Sequence, residues 1–185
     1  VLTGDLLIPT QALPKKVTKA QRAIINTKHH GDTMSKKEEN WMRIYFQNIN
    51  GIPTTEDLLS YMEEMQSKEV DIWGWVETNV KWTKEMESKA KYMGGKIFKN
   101  FTIVTNCSDD PAKYHQQGST CTGVTNQLSG QIIDKDCNPS KLGRWSYVKI
   151  AGRDQLQVTV VTAYRPCIQY NPGNTTVTAQ QIRVM

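Results

Sequence analysis

Residues 70–79 have the sequence VDIWGWVETN, in which an apolar run ends abruptly at the carboxylate of Glu77. Apolar or small residues occupy both alternate faces of the run, which predicts a strand buried on both sides. Glu77 then lies where the strand leaves its sheet, and open α/β proteins bind ligands at the carboxyl ends of strands. The alternative is that Glu77 is simply a solvated strand-end residue, since charged residues are mostly exposed.

The sequence on either side of this strand predicts two helices. The first follows a strand-like segment at residues 43–48 and is capped by Thr54 or Thr55. Its apolar face consists of Leu58, Leu59, Met62 and Met65. The second helix is predicted from about Thr83 to Met93, and it ends in a left-handed cap at Gly94-Gly95.

The remainder of the chain predicts strands separated by loops. The strands fall within residues 96–105, 119–126, 130–133, 145–150 and 155–164, and the turn at 152–154 marks a hairpin between the last two. Residues 106–117 and 134–143 are predicted to be polar or turn-rich loops. The order βαβα followed by several strands predicts an α+β layered fold, with a mixed sheet faced by helices and antiparallel hairpins beyond it.

Charge is distributed unevenly along the 185 residues. Residues 1–43 carry eight Lys and Arg against four Asp and Glu, whereas residues 44–185 carry 15 against 14. We therefore predict a basic arm or linker at residues 1–40 and a folded domain at 41–185. Such an arm can attract nucleic acid electrostatically, or it can be a solvated linker.

The four cysteines are widely spaced, at positions 107, 121, 137 and 167, and they form no CxxC pair. We interpret them as free thiols in a reducing compartment, because zinc sites and redox motifs need closely spaced ligands. No apolar stretch approaches the ~20 residues needed to span a membrane. The sequence therefore predicts neither a zinc site nor a membrane-spanning segment.

Polar side chains follow three of the predicted strands. The first strand ends in Asn48-Ile49-Asn50-Gly51, the second in Glu77-Thr78-Asn79 and the last in Ala163-Tyr164-Arg165-Pro166. Carboxylate and amide oxygens are hard ligands that suit Mg²⁺ or Mn²⁺. A tyrosine hydroxyl and an arginine beside them suit a phosphate.

Four segments together resemble the endonuclease/exonuclease/phosphatase superfamily. They are QNING at 47–51, DIWGWVET at 71–78, GRW at 143–145 and TAYRP at 162–166. The sequence is most similar to the endonuclease domain of LINE-type retrotransposons, which is related to abasic-site endonucleases and pancreatic DNase. The resemblance covers roughly residues 42–185, and it implies an α/β, four-layer DNase-like sandwich.

The resemblance also implies site residues and an activity. Glu77 matches the metal-binding glutamate, Asn48 the asparagine that orients the phosphate, and Tyr164 the tyrosine that contacts it. Asn50 falls where several relatives have an aspartate near the metal, while Arg144 and Arg165 are expected to bind substrate. The implied activity is Mg²⁺-dependent hydrolysis of nucleic acid, with Mn²⁺ as the alternative metal. DNA is the expected substrate, and the expected location is intracellular and nuclear.

Two motifs of the family's second half, Gly-Asp-x-Asn and Ser-Asp-His, do not occur in the sequence. His115 lies in a polar loop and does not match the catalytic histidine. We therefore expect the N-terminal part of such a domain, incomplete at the C-terminus and impaired in catalysis. A non-catalytic nucleic-acid-binding module, an inactive mobile-element fragment and an enzyme acting on a small phosphoester remain as alternatives.

Overall fold

The computed structural model describes residues 35–109, 119–140 and 142–164. Contacts within the chain separate two compact units, Val1–Lys36 and Lys37–Met185. Within the described residues, every helix and strand lies in the second unit. The predicted boundary between an arm at 1–40 and a domain at 41–185 stays a prediction, and the predicted loop histidine, His115, lies outside the described residues.

The second unit begins with the predicted βαβα order. Strand β1 spans Ile44–Asn48, helix α1 Thr55–Ser67, strand β2 Ile72–Val76 and helix α2 Lys84–Ile97. The later elements are β3 (Phe101–Asn106), β4 (Thr120–Thr125), the single-turn helix α3 (Asn126–Ser129), β5 (Ile132–Cys137), β6 (Trp145–Ala151) and β7 (Gln157–Ala163). The hairpin predicted at residues 152–154 joins β6 to β7, as expected.

The first sheet has the order β1-β2-β4-β3. Strand β1 runs parallel to β2, with Asn48 opposite Val76, and β4 runs antiparallel to both β2 and β3. Ile72 through Trp75 are all buried, because β2 is an internal strand with packed layers on both of its faces. The prediction of a strand buried on both sides is therefore confirmed.

Helices α1 and α2 contribute to the apolar core on one face of this sheet. Thr54 caps α1, since its Oγ1 accepts a hydrogen bond from the backbone nitrogen of Asp57 at 3.1 Å. Three of the four predicted apolar-face residues of α1 are completely buried, namely Leu58, Met62 and Met65. They share one core with Trp73 and Trp75 of β2, and truncating one of the methionines to alanine would cost about 2–5 kcal/mol.

The second sheet, β5-β6-β7, is antiparallel throughout and packs on the other face of the first sheet. Val148 and Val160 join Ile72 and Val124 in the apolar core between the sheets. Gly74 marks a close approach, because a Cβ there would lie 2.3 Å from the Phe46 ring and 2.5 Å from Thr162 Oγ1. The described residues thus form three layers, helices on a sheet on a second sheet, of the four that were expected.

A hydroxyl cluster lies within the interface between the sheets. Thr122 Oγ1 is 2.8 Å from Ser146 Oγ and 2.7 Å from Thr162 Oγ1, and all three residues are fully buried. Because the hydroxyls form hydrogen bonds with one another, these buried polar groups avoid the free-energy cost of an unsatisfied hydrogen-bonding group.

Helix α2 does not end at Gly94-Gly95 as predicted. It continues to Ile97, and Phe98 is its C-cap residue. Gly94 is needed for packing instead, because a Cβ there would lie only 2.1 Å from Phe101 Cδ1. This contact joins residues seven positions apart across the turn into β3, so the glycine pair alone could not reveal it.

The loop predicted at residues 134–143 is also partly wrong, because its first four residues belong to β5. Their polar sequence lacks an apolar alternation, but pairing with β6 holds them extended. Tyr147 on β6 donates a hydrogen bond to Asp134 Oδ2 at 2.8 Å across the pair. Cross-strand contacts of this kind stabilise a strand whose own sequence signal is weak.

Strands β1 and β7 are the edge strands on one side of the two sheets, and within the described ranges neither has a partner on its outer edge. Of the large apolar side chains that are exposed in the described part of the chain, most lie on or next to these strands. Phe46 of β1 is 54% exposed, Val161 of β7 is 50% exposed, and Trp41 and Leu156 beside them are each 67% exposed.

Two further expectations concern the thiols and the membrane. Cys107, Cys121 and Cys137 are free thiols, and Cys167 lies outside the described residues. No helix in the described part of the chain is long and apolar enough to cross a membrane.

Candidate functional site

The candidate site lies at one edge of the two sheets. Strands β1, β2 and β3 all end at this edge of the first sheet, since Asn106 and Val76 both pair with Thr120 at the start of β4. In the second sheet β6 begins and β7 ends at the same place, with Trp145 opposite Ala163. The Asn106 side-chain amide donates to the Trp145 carbonyl at 3.1 Å and thereby joins the two edges.

Glu77 follows the last residue of β2 and is half-buried rather than freely solvated. Its backbone is left-handed, with φ of +53°, and Asn79 has φ of +54°. A left-handed conformation costs a non-glycine residue about 1–2 kcal/mol. Two such residues within three positions persist only where neighbouring contacts hold them.

A buried hydrogen-bond network supplies those contacts. Thr78 Oγ1 donates to Ser119 Oγ at 2.6 Å, and Ser119 Oγ also accepts the backbone N–H of Asn79 at 2.8 Å. The indole N–H of Trp82 donates to Thr78 Oγ1 at 3.0 Å. Thr78 and Ser119 are fully buried and Trp82 nearly so, so these bonds are shielded from competing water.

The loop after β1 is hydrogen-bonded to the Glu77 loop. The backbone nitrogen of Ile49 donates to the Val76 carbonyl at 3.1 Å, and that of Ile52 donates to the Thr78 carbonyl at 2.8 Å. Gly51, at φ of +111°, adopts a backbone that other residues rarely tolerate, and a Cβ there would lie 3.2 Å from Asn79 Nδ2.

Asn48 and Asn50 form a local turn on this loop. The backbone nitrogen of Asn50 donates to Asn48 Oδ1 at 3.0 Å, and both residues are exposed. Asn50 is itself left-handed, with φ of +48°, a conformation that asparagine accepts more readily than most residues. The backbone contacts between the two loops therefore place the Asn48–Asn50 turn beside the Glu77 loop.

Arg144 and Tyr164 form the part of the site that belongs to the second sheet. The Tyr164 backbone nitrogen donates to the Arg144 carbonyl at 2.8 Å, and the Arg144 guanidinium carbon lies 5.7 Å from the centroid of the Tyr164 ring. This distance is within the range of a cation–π contact. Arg144 is only 7% exposed, and burial lowers the pKa of its guanidinium, although an arginine remains charged at neutral pH.

The three polar strand ends are divided between the two sheets, a division that the sequence does not predict. Asn48 and Glu77 leave the first sheet, whereas Tyr164 leaves the second. Arg165 lies outside the described residues. Sequence reasoning also missed Thr78, Ser119 and Trp82, because the bond between Thr78 and Ser119 spans 41 positions and no local pattern signals it.

The donors present at this edge fit a hard divalent cation only in part. Glu77 offers a carboxylate and Asn50 an amide oxygen, both of the type that Mg²⁺ prefers. Among the described residues, no group of three or more His, Cys, Asp or Glu side chains could hold a metal. A site with one carboxylate suits Mg²⁺ that keeps most of its waters and shares a phosphate ligand.

No protein-family model and no curated protein matches the sequence. Among solved structures, the AP endonuclease LMAP from Leishmania major has a TM-score of 0.50 and 16% identity, over 78% of this chain and 44% of that one. An endonuclease/exonuclease/phosphatase family protein from Leptotrichia buccalis has a TM-score of 0.49 and 11% identity, over 78% of this chain and 61% of that one. The chain thus spans less than two thirds of either structure.

The similarity to the AP endonuclease concerns the fold and not the chemistry. The AP endonuclease is similar to this chain in fold at a low level of sequence identity. The mixed α/β architecture and its element order agree with the expectation drawn from the sequence. Over the part of the chain that is matched, the chain therefore has the fold of this AP endonuclease.

Proposed function

We propose that the chain is a phosphodiesterase-type domain that binds a divalent metal ion and a nucleic-acid phosphate. The observation that supports this most directly is the strained, half-buried Glu77 at the end of β2, held beside the Asn48–Asn50 turn. A carboxylate fixed at an edge shared by two sheets is suited to ligand binding, since its geometry is set before the ligand arrives.

Glu77 and Asn50 would hold the metal ion, Mg²⁺ in preference to Mn²⁺. When bound, such an ion neutralises charge that develops on a phosphate oxygen. Asn48 has a different role, because its Oδ1 already accepts the Asn50 N–H at 3.0 Å. Its amide nitrogen therefore serves as a hydrogen-bond donor to a phosphate oxygen.

Tyr164 and Arg144 act on the phosphate from the second sheet. The Tyr164 hydroxyl donates to a phosphate oxygen, and the guanidinium beside its ring adds positive potential at that point. Because Arg144 is largely buried, it holds the ring in place rather than reaching far into solvent. Arg165 follows Tyr164 directly in the sequence and is the second arginine proposed for the substrate.

The reaction is hydrolysis of a phosphodiester. Water attacks phosphorus, one P–O bond breaks, and the leaving oxygen takes a proton to give a hydroxyl and a phosphomonoester. The family motifs expected to remove a proton from that water are missing from the sequence. General-base help typically contributes about 10²–10⁴ in rate, so we expect slow turnover and use binding as the primary test.

Nucleic acid is the proposed substrate class, and DNA the preferred one. The charge excess of residues 1–43 favours a polyanionic partner, and the resemblance to LINE-type endonucleases favours an intracellular, nuclear element-encoded enzyme. Comparing hydrolysis of a phosphodiester with that of a small phosphomonoester would separate this proposal from the alternative of a small-molecule phosphatase.

The test measures binding of a fluorescent DNA duplex, with and without Mg²⁺, at constant ionic strength. We expect Mg²⁺ to tighten binding to the wild-type chain and to have no such effect on Glu77→Gln. Glu63→Gln, on the exposed face of α1, is the matched control and should behave like wild type. Binding that ignores Mg²⁺, or Mg²⁺ dependence that survives Glu77→Gln, would refute the proposed site, and plasmid nicking in the same buffers reports any turnover.

A further inference from the structure

The loop that carries Glu77 is held by buried residues that cannot themselves touch a ligand. Glu77 and Asn79 are both left-handed, and the residue between them, Thr78, has no exposed surface. Glu77 is therefore connected to the protein interior through its immediate neighbour.

Thr78 is held from two directions. On one side its hydroxyl donates to Ser119 Oγ at 2.6 Å, and Ser119 lies immediately before the neighbouring strand β4. On the other side it accepts the Trp82 indole N–H at 3.0 Å from the segment leading into α2. A hydroxyl that both donates and accepts has one preferred orientation, so the network resists rotation of the loop.

The same threonine connects the two halves of the proposed metal site. Its carbonyl accepts the Ile52 N–H at 2.8 Å, which ties down the loop carrying Asn50. A displacement of Thr78 would thus change the separation of the Glu77 and Asn50 oxygens. For a small ion with strict octahedral geometry, such a change lowers affinity.

We propose that Thr78 and Ser119, with Trp82, are positioning residues that set the affinity of the Glu77 site for a divalent cation. This inference rests on the proposed function. Residues that orient metal ligands typically contribute about 10–100-fold to metal affinity. Substitutions in this network should accordingly change the Kd for the metal ion more than they change the free energy of unfolding.

The experiment measures the Kd for Mn²⁺ by the loss of the free-ion electron paramagnetic resonance signal, on the full chain. Thr78→Val keeps the shape but removes the hydroxyl, and we expect it to weaken Mn²⁺ binding about tenfold. Ser119→Ala, a smaller change, should act in the same direction and keeps the test open if Thr78→Val does not fold. Thr78→Ser restores the hydroxyl and should recover the wild-type Kd.

Thr122→Val is the matched structural control. Thr122 is also fully buried and hydrogen-bonded, but it lies between the sheets. We expect it to lower thermal stability while leaving the Kd unchanged. Equal weakening by Thr122→Val and Thr78→Val would overturn the positioning role, as would wild-type binding in both Thr78→Val and Ser119→Ala. If Glu77→Gln itself binds Mn²⁺ like wild type, the metal site fails and the positioning role with it.

Discussion

Two adjacent glycines in helix α2 allow a test in which the same substitution has opposite effects. Gly94 and Gly95 both lie inside the helix with ordinary helical backbone, since neither is among the positive-φ glycines. A Cβ at Gly95 would meet nothing within 4 Å, whereas one at Gly94 would lie 2.1 Å from the Phe101 ring, well inside the ordinary contact distance of 3.4 Å.

Gly95→Ala should stabilise the protein. In a helix interior alanine is favoured over glycine by about 0.5–1 kcal/mol, and the new methyl group meets only open space. For a chain of this size, that change corresponds to a rise in Tm of about 1–4 °C. A left-handed cap at this position, as the sequence had indicated, would instead make Gly95→Ala destabilising.

Gly94→Ala should destabilise the protein despite the same gain in helix propensity. The Phe101 ring cannot easily move away, because it is packed against the rings of Trp73 and Phe98 at centroid distances of 5.6 Å. Overpacking of a core typically costs about 1–3 kcal/mol. After the helix gain we expect a net loss of about 1–2 kcal/mol and a decrease in Tm of about 2–8 °C.

Thermal unfolding followed by far-UV circular dichroism measures both variants beside wild type. The Tm shift of the double variant should equal the sum of the two single shifts only if the clash with Phe101 is independent of the residue at position 95. If Gly95→Ala lowers Tm, or if both substitutions shift Tm equally, then α2 does not continue past the glycine pair and the packing argument is wrong.

Three further predictions concern the site and the thiols. Arg144→Lys should weaken the cation–π contact with the Tyr164 ring and cost about 1–2 kcal/mol in urea unfolding, while Arg153→Lys in the exposed β6–β7 turn should cost nothing measurable. Alkylation followed by mass spectrometry should find Cys121 protected until the protein unfolds and Cys107 slowly modified in the native state, since Cys121 is fully buried and Cys107 half-buried. Modification of native Cys121 at the rate of Cys107 would contradict the packing of β4. Burial also raises the pKa of the Cys121 thiol above its ordinary 9.0, so above about pH 9 the unfolded state binds fewer protons and stability falls as pH rises. The decline should become shallower in Cys121→Ala, and an unchanged slope would exclude this thiol as a cause.

The parts of the fold that depend on local patterns could be predicted from the sequence. Strand β2 is apolar on both faces because Trp73 packs toward the helices and Ile72 toward the second sheet. Helix α1 shows its buried face at helical spacing and its cap at Thr54. In both elements the residues that decide the structure are neighbours in sequence.

Features that depend on distant partners could not be predicted. Gly94 resembles a helix stop until Phe101 is seen beside it, and β5 resembles a loop until β6 pairs with it. In the candidate site, the place of Glu77 at the end of a buried strand could be predicted from the apolar run before it. The division of the site between two sheets, and the bond from Thr78 to Ser119, arise from tertiary packing alone.

Because β1 and β7 are edge strands on the same side of the two sheets, self-association of the chain should depend on protein concentration. Among the described residues no strand pairs with the outer edges of β1 and β7, where Phe46 and Val161 are exposed, and an edge of this kind offers a template on which an extended chain can add a strand. Association of this kind is second order, so its rate rises with the square of concentration while intramolecular folding stays constant. Dilution should therefore favour the monomer. A polypeptide that covers the outer edges of β1 and β7 would prevent this association, as a chaperone does.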